Sequence, residues 1–224
     1  MTFENGRNAR RILVTTAVEA EREAVLRGLG ESPAFDVVAV GVGPAAAAAG
    51  TARMLARQGA SYGLVVCAGI GGGFAGRAKV GELALSSEIV AADLGAESPD
   101  GFLSVDELGF GSSRVSCAAE WTEPFQDALA AAGIPVRYGP ILTVSTATGT
   151  AETAERRSAL APGAVAEAME GFGVAEAARA CGIPVLEMRA ISNAVGPRDR
   201  ASWRIGEALE LLRRASAILA EVLS

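Results

Sequence analysis

The sequence predicts an α/β fold, a three-layer αβα sandwich with a central mixed β-sheet. Three observations carry that expectation. Short Val/Ile/Leu runs alternate with helix-length segments from one end of the chain to the other. Half of the 224 residues are apolar, enough to fill one large core. No internal repeat or low-complexity linker interrupts the alternation. Residues 11–224 therefore read as a single domain behind a polar N-terminal extension, residues 1–10, that is expected to be disordered.

Taken in order, residues 11–16 form an apolar run bounded by charge and read as the first strand, and residues 18–29, rich in Glu and Arg, as the helix it enters. The run 35–40 leads into Gly41-Val42-Gly43-Pro44, and Pro44 suits the first turn of an Ala-rich helix reaching about Gln58. Residues 62–68 are a third buried strand that runs into Gly69-Ile70-Gly71-Gly72-Gly73, a glycine density that implies backbone held close to a neighbour. Residues 81–90 read as a longer strand, and residues 93–107, polar and aperiodic, as a surface excursion. A helix over 120–132, a strand over 135–144, a helix over 152–160 and a short apolar segment over 164–169 follow. Residues 171–180 are helical by composition and 183–191 form a further strand. Apolar residues at Ala208, Leu211, Leu212, Ala215, Ile218, Leu219 and Val222 then make a core-facing stripe on a helix over 203–222.

Composition narrows the chemistry. The formal charge of −6 and a pI near 4.9 leave no basic surface for nucleic acid or an anionic membrane. No stretch approaches the roughly 18–20 consecutive apolar residues of a membrane span, and no signal-peptide core follows the polar start, so a cytoplasmic protein is expected. Cys67, Cys117 and Cys181 are far apart and odd in number, which fits reduced thiols rather than disulfides or a metal cluster. The sequence has no histidine at all. That excludes Ser-His and Cys-His nucleophile systems and His-ligated metals, and leaves acid–base work to carboxylates, Lys, Tyr or Cys.

Two glycine-rich segments invite nucleotide readings. Gly41-Val42-Gly43 follows a strand and opens a helix, but Ala46 stands where a dinucleotide fingerprint has its third glycine, and no acidic residue ends the next strand. Gly69–Gly73 lacks the Lys-Ser/Thr ending of a P-loop, and a tightly packed strand exit accounts for it without any ligand.

The order of motifs resembles the nucleoside phosphorylase and nucleosidase superfamily: a Glu-bearing turn after the first strand, a Gly-x-Gly turn, a strand ending in glycines, then Gly81-Glu82-Leu83-Ala84-Leu85-Ser86. Ala168-Met169-Glu170-Gly171 resembles its ribose-binding segment, and Arg189-Ala190-Ile191-Ser192-Asn193 its purine-facing strand end. Within the superfamily, Asn193 and the tail Gly196-Pro197-Arg198-Asp199-Arg200-Ala201-Ser202-Trp203 resemble the futalosine hydrolase family. The resemblance spans nearly the whole chain. It implies a nucleoside phosphorylase-like fold, hydrolysis of a 6-oxopurine nucleoside to hypoxanthine and dehypoxanthine futalosine in the futalosine route to menaquinone, no cofactor or metal, and a homo-oligomer.

Cleaving an N-glycosidic bond builds positive charge on the ribose and negative charge on the departing base, so both must be steadied. By resemblance Glu170 accepts from ribose hydroxyls, Met169 packs on the sugar, and Glu21 orients and deprotonates the attacking water. One glutamate among Glu19, Glu21 and Glu23 would ordinarily be a solvated helix residue, whereas Glu170 follows an apolar segment and sits at the core's edge. Adenine-specific relatives carry aspartate at the position of Asn193. An amide cannot protonate the leaving purine as that acid does, but it can donate and accept, and a side chain with both capacities can meet N7 and the 6-oxo group of hypoxanthine together. A turn-capping role would serve an asparagine equally well. Ser192 is expected to support Asn193, and the backbone of Ile70, Gly71 and Gly72 to face the water and sugar. Residues 146–150 offer no aromatic to cover the purine, which leaves Phe172 or Trp203, each as readily a core residue. The alternatives are a phosphorylase, an adenine-type nucleosidase and a nonenzymatic purine-nucleoside sensor.

Overall fold

The computed structural model describes residues 11–57 and 61–223. The expected N-terminal disorder and the predicted helix end at Gln58 lie outside the described residues. The elements run β1 (Arg11–Thr16), α1 (Glu19–Leu29), β2 (Phe35–Ala39), α2 (Pro44–Leu55), β3 (Tyr62–Gly73), β4 (Leu83–Ala91), β5 (Gly95–Ser98), β6 (Gly101–Ser104) and β7 (Arg114–Ser116). They continue as α3 (Ala119–Ala131), β8 (Val136–Thr143), α4 (Ala151–Leu160), β9 (Ala166–Ala168), α5 (Gly171–Ala180), β10 (Val185–Ala194), a 3-10 turn at Arg200–Ser202 and α6 (Ile205–Leu223).

Helices lie on both sides of a central mixed sheet. β1 pairs in parallel with β2 and β3, and β10 runs parallel to β3 and antiparallel to β4. The period-2 alternation of the strands divides the core. Leu64, Val66, Leu186 and Met188 pack with α1, α3 and α6, whereas Leu13, Val65, Cys67 and Val185 pack with α2 and α5. The sheet also bends round on itself: β3–β10, β10–β4, β4–β8, β8–β9 and β9–β3 pairings form a closed ring of five strands. The sequence reading did not contain that closure, because pairing order is not written in hydrophobic period.

Three local differences have physical causes. The glycine cluster is no turn but the last five residues of β3. None of its glycines has positive φ, so they are there for close approach. A Cβ on Gly69 would lie 2.7 Å from both Arg189 and Glu21 side-chain atoms, and one on Gly73 would lie 2.5 Å from the Ala78 carbonyl. The excursion 93–107 holds a short hairpin, β5 with β6, whose residues alternate between exposed and half-buried. The three-residue β7 on the free edge of β4 is too short to leave a period.

Glycine also sets the approach of α1 to α6. A Cβ on Gly28 would fall 2.2 Å from the Arg213 carbonyl oxygen and 2.6 Å from Ser216 Cβ. Helix propensity favours Gly28→Ala by up to about 1 kcal/mol, but overpacking costs about 1–3 kcal/mol and wins. Gly28→Ala is expected to lower the denaturant midpoint, and an unchanged or higher midpoint would show that α6 can yield.

Candidate active site

A cleft of about 350 Å³ opens at the carboxyl ends of β1, β3 and β10, the end of an open α/β arrangement where ligands bind. β3 explains its position. β1 lies beside β3 as far as Cys67, and β9 takes up again at Gly72. Between them this edge has no strand. There the Ile70 backbone N–H donates to Glu21 Oε1 at 2.9 Å.

Glu21 is the third residue of α1, and its Oε2 accepts from the N–H groups of Ala17 (2.9 Å) and Val18 (3.2 Å) at the helix start. Val18 has no side-chain oxygen to return the bond, so Glu21 caps the helix alone. At 4% exposure it is not a solvated helix residue, yet it lines the cleft. Three donors on a carboxylate with about four acceptor positions leave one position free on a side chain that lines the cleft. Ile70, Gly71 and Gly72 line the cleft as well, but the N–H of Ile70 anchors Glu21 rather than a water or sugar oxygen.

Glu170 enters from the turn between β9 and α5. Its Oε1 accepts from the Gly43 N–H at 3.3 Å, and its Oε2 from the Met169 N–H at 3.3 Å and from Arg189 Nη1 at 3.1 Å. The Gly41-Val42-Gly43 turn, with positive φ at both glycines, therefore holds a carboxylate of its own chain and not a pyrophosphate. Met169 and Glu170 both line the cleft.

Behind them lies Arg189, 1% exposed. Its Nε donates to Glu187 Oε1 (2.9 Å), its Nη1 to Glu170 and its Nη2 to Cys67 Sγ (3.0 Å). Burial alone would depress the guanidinium pKa, but Cys67 and the carboxylates of Glu187, Glu170 and Glu21 reverse that and raise it, so it stays charged. Burial pushes the Cys67 thiol well above its usual value, so it is a weak acceptor and no nucleophile. Burial likewise raises the Glu187 carboxyl, against the pull of Arg189.

Asn193, at the end of β10, accepts from Ser192 Oγ at Oδ1 (2.8 Å) and donates from Nδ2 to the Ala194 carbonyl (3.0 Å). Ser192 is 1% exposed, so its hydroxyl fixes which face of the amide is which. Trp203 lines the cleft with Arg198 stacked on it, 5.3 Å to the ring centroid. Phe172 does not line it: its ring packs with Leu13, Val65 and Ala175, and its N–H donates to Thr143 Oγ1. Of the two aromatic candidates, only Trp203 lines the cleft.

Sequence reasoning assigned no role to Arg189, Glu187 or Glu167. Two charges two residues apart in an otherwise apolar strand share one face, and that was the available signal for Glu187 and Arg189. Glu167 lines the cleft, pairs with Arg157 Nη1 at 3.0 Å and accepts from the Thr148 N–H at 2.8 Å, fixing the loop before α4. Among the described residues no group of acidic or cysteine side chains is arranged to hold a metal.

Comparison with known proteins bears on the fold and the family. The Phosphorylase superfamily model matches residues 11–224. The chain is 52% identical to a futalosine hydrolase of Streptomyces coelicolor over 95% of this chain and 96% of that one. It is 44% identical to a futalosine hydrolase of Acidothermus cellulolyticus over 92% and 89%. In structure it resembles the 5′-methylthioadenosine/S-adenosylhomocysteine nucleosidase of S. pneumoniae bound to a transition-state inhibitor, with a TM-score of 0.81, 17% identity, and coverage of 96% and 100%.

Removing Arg189 would leave buried carboxylates without their cation. Arg189→Met is expected to cost about 3–5 kcal/mol of stability, read as a lower denaturant midpoint. A variant as stable as the native protein would mean the carboxylates need no cation.

Proposed function

The chain belongs to the phosphorylase superfamily and, within it, to the futalosine hydrolases, and from that premise we propose that it hydrolyses the N-glycosidic bond of futalosine, releasing hypoxanthine and dehypoxanthine futalosine. The observation that carries the reading is the meeting, in one cleft, of Glu21 and Glu170 with the amide of Asn193. Glu170 accepts from ribose hydroxyls, and Met169 packs against the sugar as its ring flattens toward the oxocarbenium ion. Glu21 uses its remaining lone pair to align a water and takes its proton as oxygen bonds to the anomeric carbon. Electrons of the broken bond pass into the purine, whose developing anion Asn193, oriented by Ser192, steadies by donating to N7, and a proton from solvent completes the departing hypoxanthine. Gly71 and Gly72 bring backbone close beneath the sugar, and Trp203 covers the base.

Hydrolysis is favoured over phosphorolysis because, among the described residues, the cation packed against Gly69, Arg189, is buried and donates to Glu170, Glu187 and Cys67, while Arg198 at the cleft lies over Trp203. The same reading makes the protein a cytoplasmic homo-oligomer in the futalosine route to menaquinone, with no cofactor, metal, membrane or nucleic acid.

Chromatography of futalosine incubated with the enzyme tests the proposal. Hypoxanthine is expected to appear equally with and without phosphate, and strictly phosphate-dependent release would make the protein a phosphorylase. Glu21→Gln is expected to reduce turnover by about 10²–10⁴-fold while nucleoside binding, read by calorimetry, is retained. Unchanged turnover would remove Glu21 from the mechanism. Asn193→Asp is expected to shift the ratio of kcat/KM values toward an adenine nucleoside by about tenfold or more. An unchanged ratio would show that the amide does not select the base.

A further inference from the structure

Glu187 is fully buried, its Oε1 accepts from Arg189 Nε, and its Oε2 has no hydrogen-bond partner. Extending the β10–β4 register by one residue from Met188 opposite Leu85 sets it against Ser86, whose hydroxyl is equally buried and unpartnered. A Cβ on Gly171 would lie 2.3–2.6 Å from the Glu187 carboxyl atoms, so the glycine after Glu170 is the space that Glu187 fills.

We propose that Glu187 is a positioning residue, held uncharged behind the ribose-binding Glu170, whose carbonyl oxygen fixes the rotation of Arg189 so that Nη1 meets Glu170. Glu21, Glu170 and Glu187 surround a single guanidinium. An anion at Glu187 would leave a charged, desolvated oxygen with no donor, whereas a neutral carboxyl leaves only an unpaired hydroxyl, a far smaller cost. The groups that face it are Arg189 on its own strand, Glu170 and Gly171 before and in α5, Ser86 on β4, and Cys117 ahead of α3, whose own pKa is pushed up to about 12 by burial. Arg189 alone among them is cationic. Burial raises the carboxyl in the same sense. The geometry makes Glu170-Gly171 and Glu187-Met188-Arg189 one device: the second segment aims the cation, and the first has the glycine that admits it. This inference rests on the reading of Glu170 as the ribose acceptor.

The test compares native protein, E187Q and E187L by hypoxanthine release from futalosine and by melting temperature against pH. A native protein that releases no hypoxanthine refutes the substrate reading, and differences among the three test Glu187. A group neutral when folded loses stability relative to the unfolded chain as pH rises past the unfolded carboxyl pKa of about 4.3. E187Q, which cannot ionise, is therefore expected to melt higher than native at neutral pH, with the gap closing on acidification. Its kcat/KM is expected within about twofold of native, while E187L, folded but without the acceptor for Nε, falls about tenfold or more. An E187Q that melts lower at neutral pH, or loses as much activity as E187L, shows that Glu187 works as an anion and overturns the proposal. So does an E187L with native kcat/KM. The E187Q measurements stand whether or not E187L folds.

Discussion

Arg189 has the largest fully buried side chain among the described residues, and a guanidinium that cannot shed its proton dictates what may surround it. Its donors must find acceptors, and they do so on three separate pieces of chain: Glu187 on the same strand, Glu170 at the start of α5 and Cys67 in β3. The backbone must also leave room. Gly69 is a glycine because Arg189 Nη1 and Glu21 Oε1 lie where its Cβ would be, and Gly171 because Glu187 does. The charge in the core thus explains both the acidic residues of the cleft wall and the glycine spacing of the segments opposite.

Much of this was legible in the sequence. Apolar runs placed β1, β2 and β8 to within a residue or two, composition placed α5, and the stripe from Ala208 to Val222 gave α6, which is long enough to show its period. Residues 69–73 were read as backbone held close to a neighbour, which Arg189 and Glu21 beside Gly69 bear out, but as lying past the strand rather than in it, because glycine serves turns and close approach alike. β7 and the β5–β6 hairpin were missed because three or four residues carry little periodicity.

The site divides along the same line. Glu21, Met169, Glu170, Ser192 and Asn193 stand at element ends, where motif resemblance is informative, and the fold gathers them into one cleft. Phe172 was ambiguous because an aromatic two residues past a binding carboxylate can face either way, and the helix turns it into the core. Arg189 and Glu187 lie in mid-strand, where a charge reads as an anomaly until its partners are known, and those partners are remote in sequence.

That remoteness bears on how the protein comes to be active. The bond from Ile70 to Glu21 closes a separation of 49 residues, and that from Gly43 to Glu170 one of 127. The five-strand ring shuts only when β10, near the C-terminus, inserts between β3 and β4. Contacts of such range form late and slowly, since loop closure must precede any stabilisation they bring. A nascent chain emerging N-terminus first can build β1, α1 and β2 early, yet its cleft stays unmade until nearly the entire polypeptide has been synthesised, so that a nucleoside meets a binding surface only on the finished molecule.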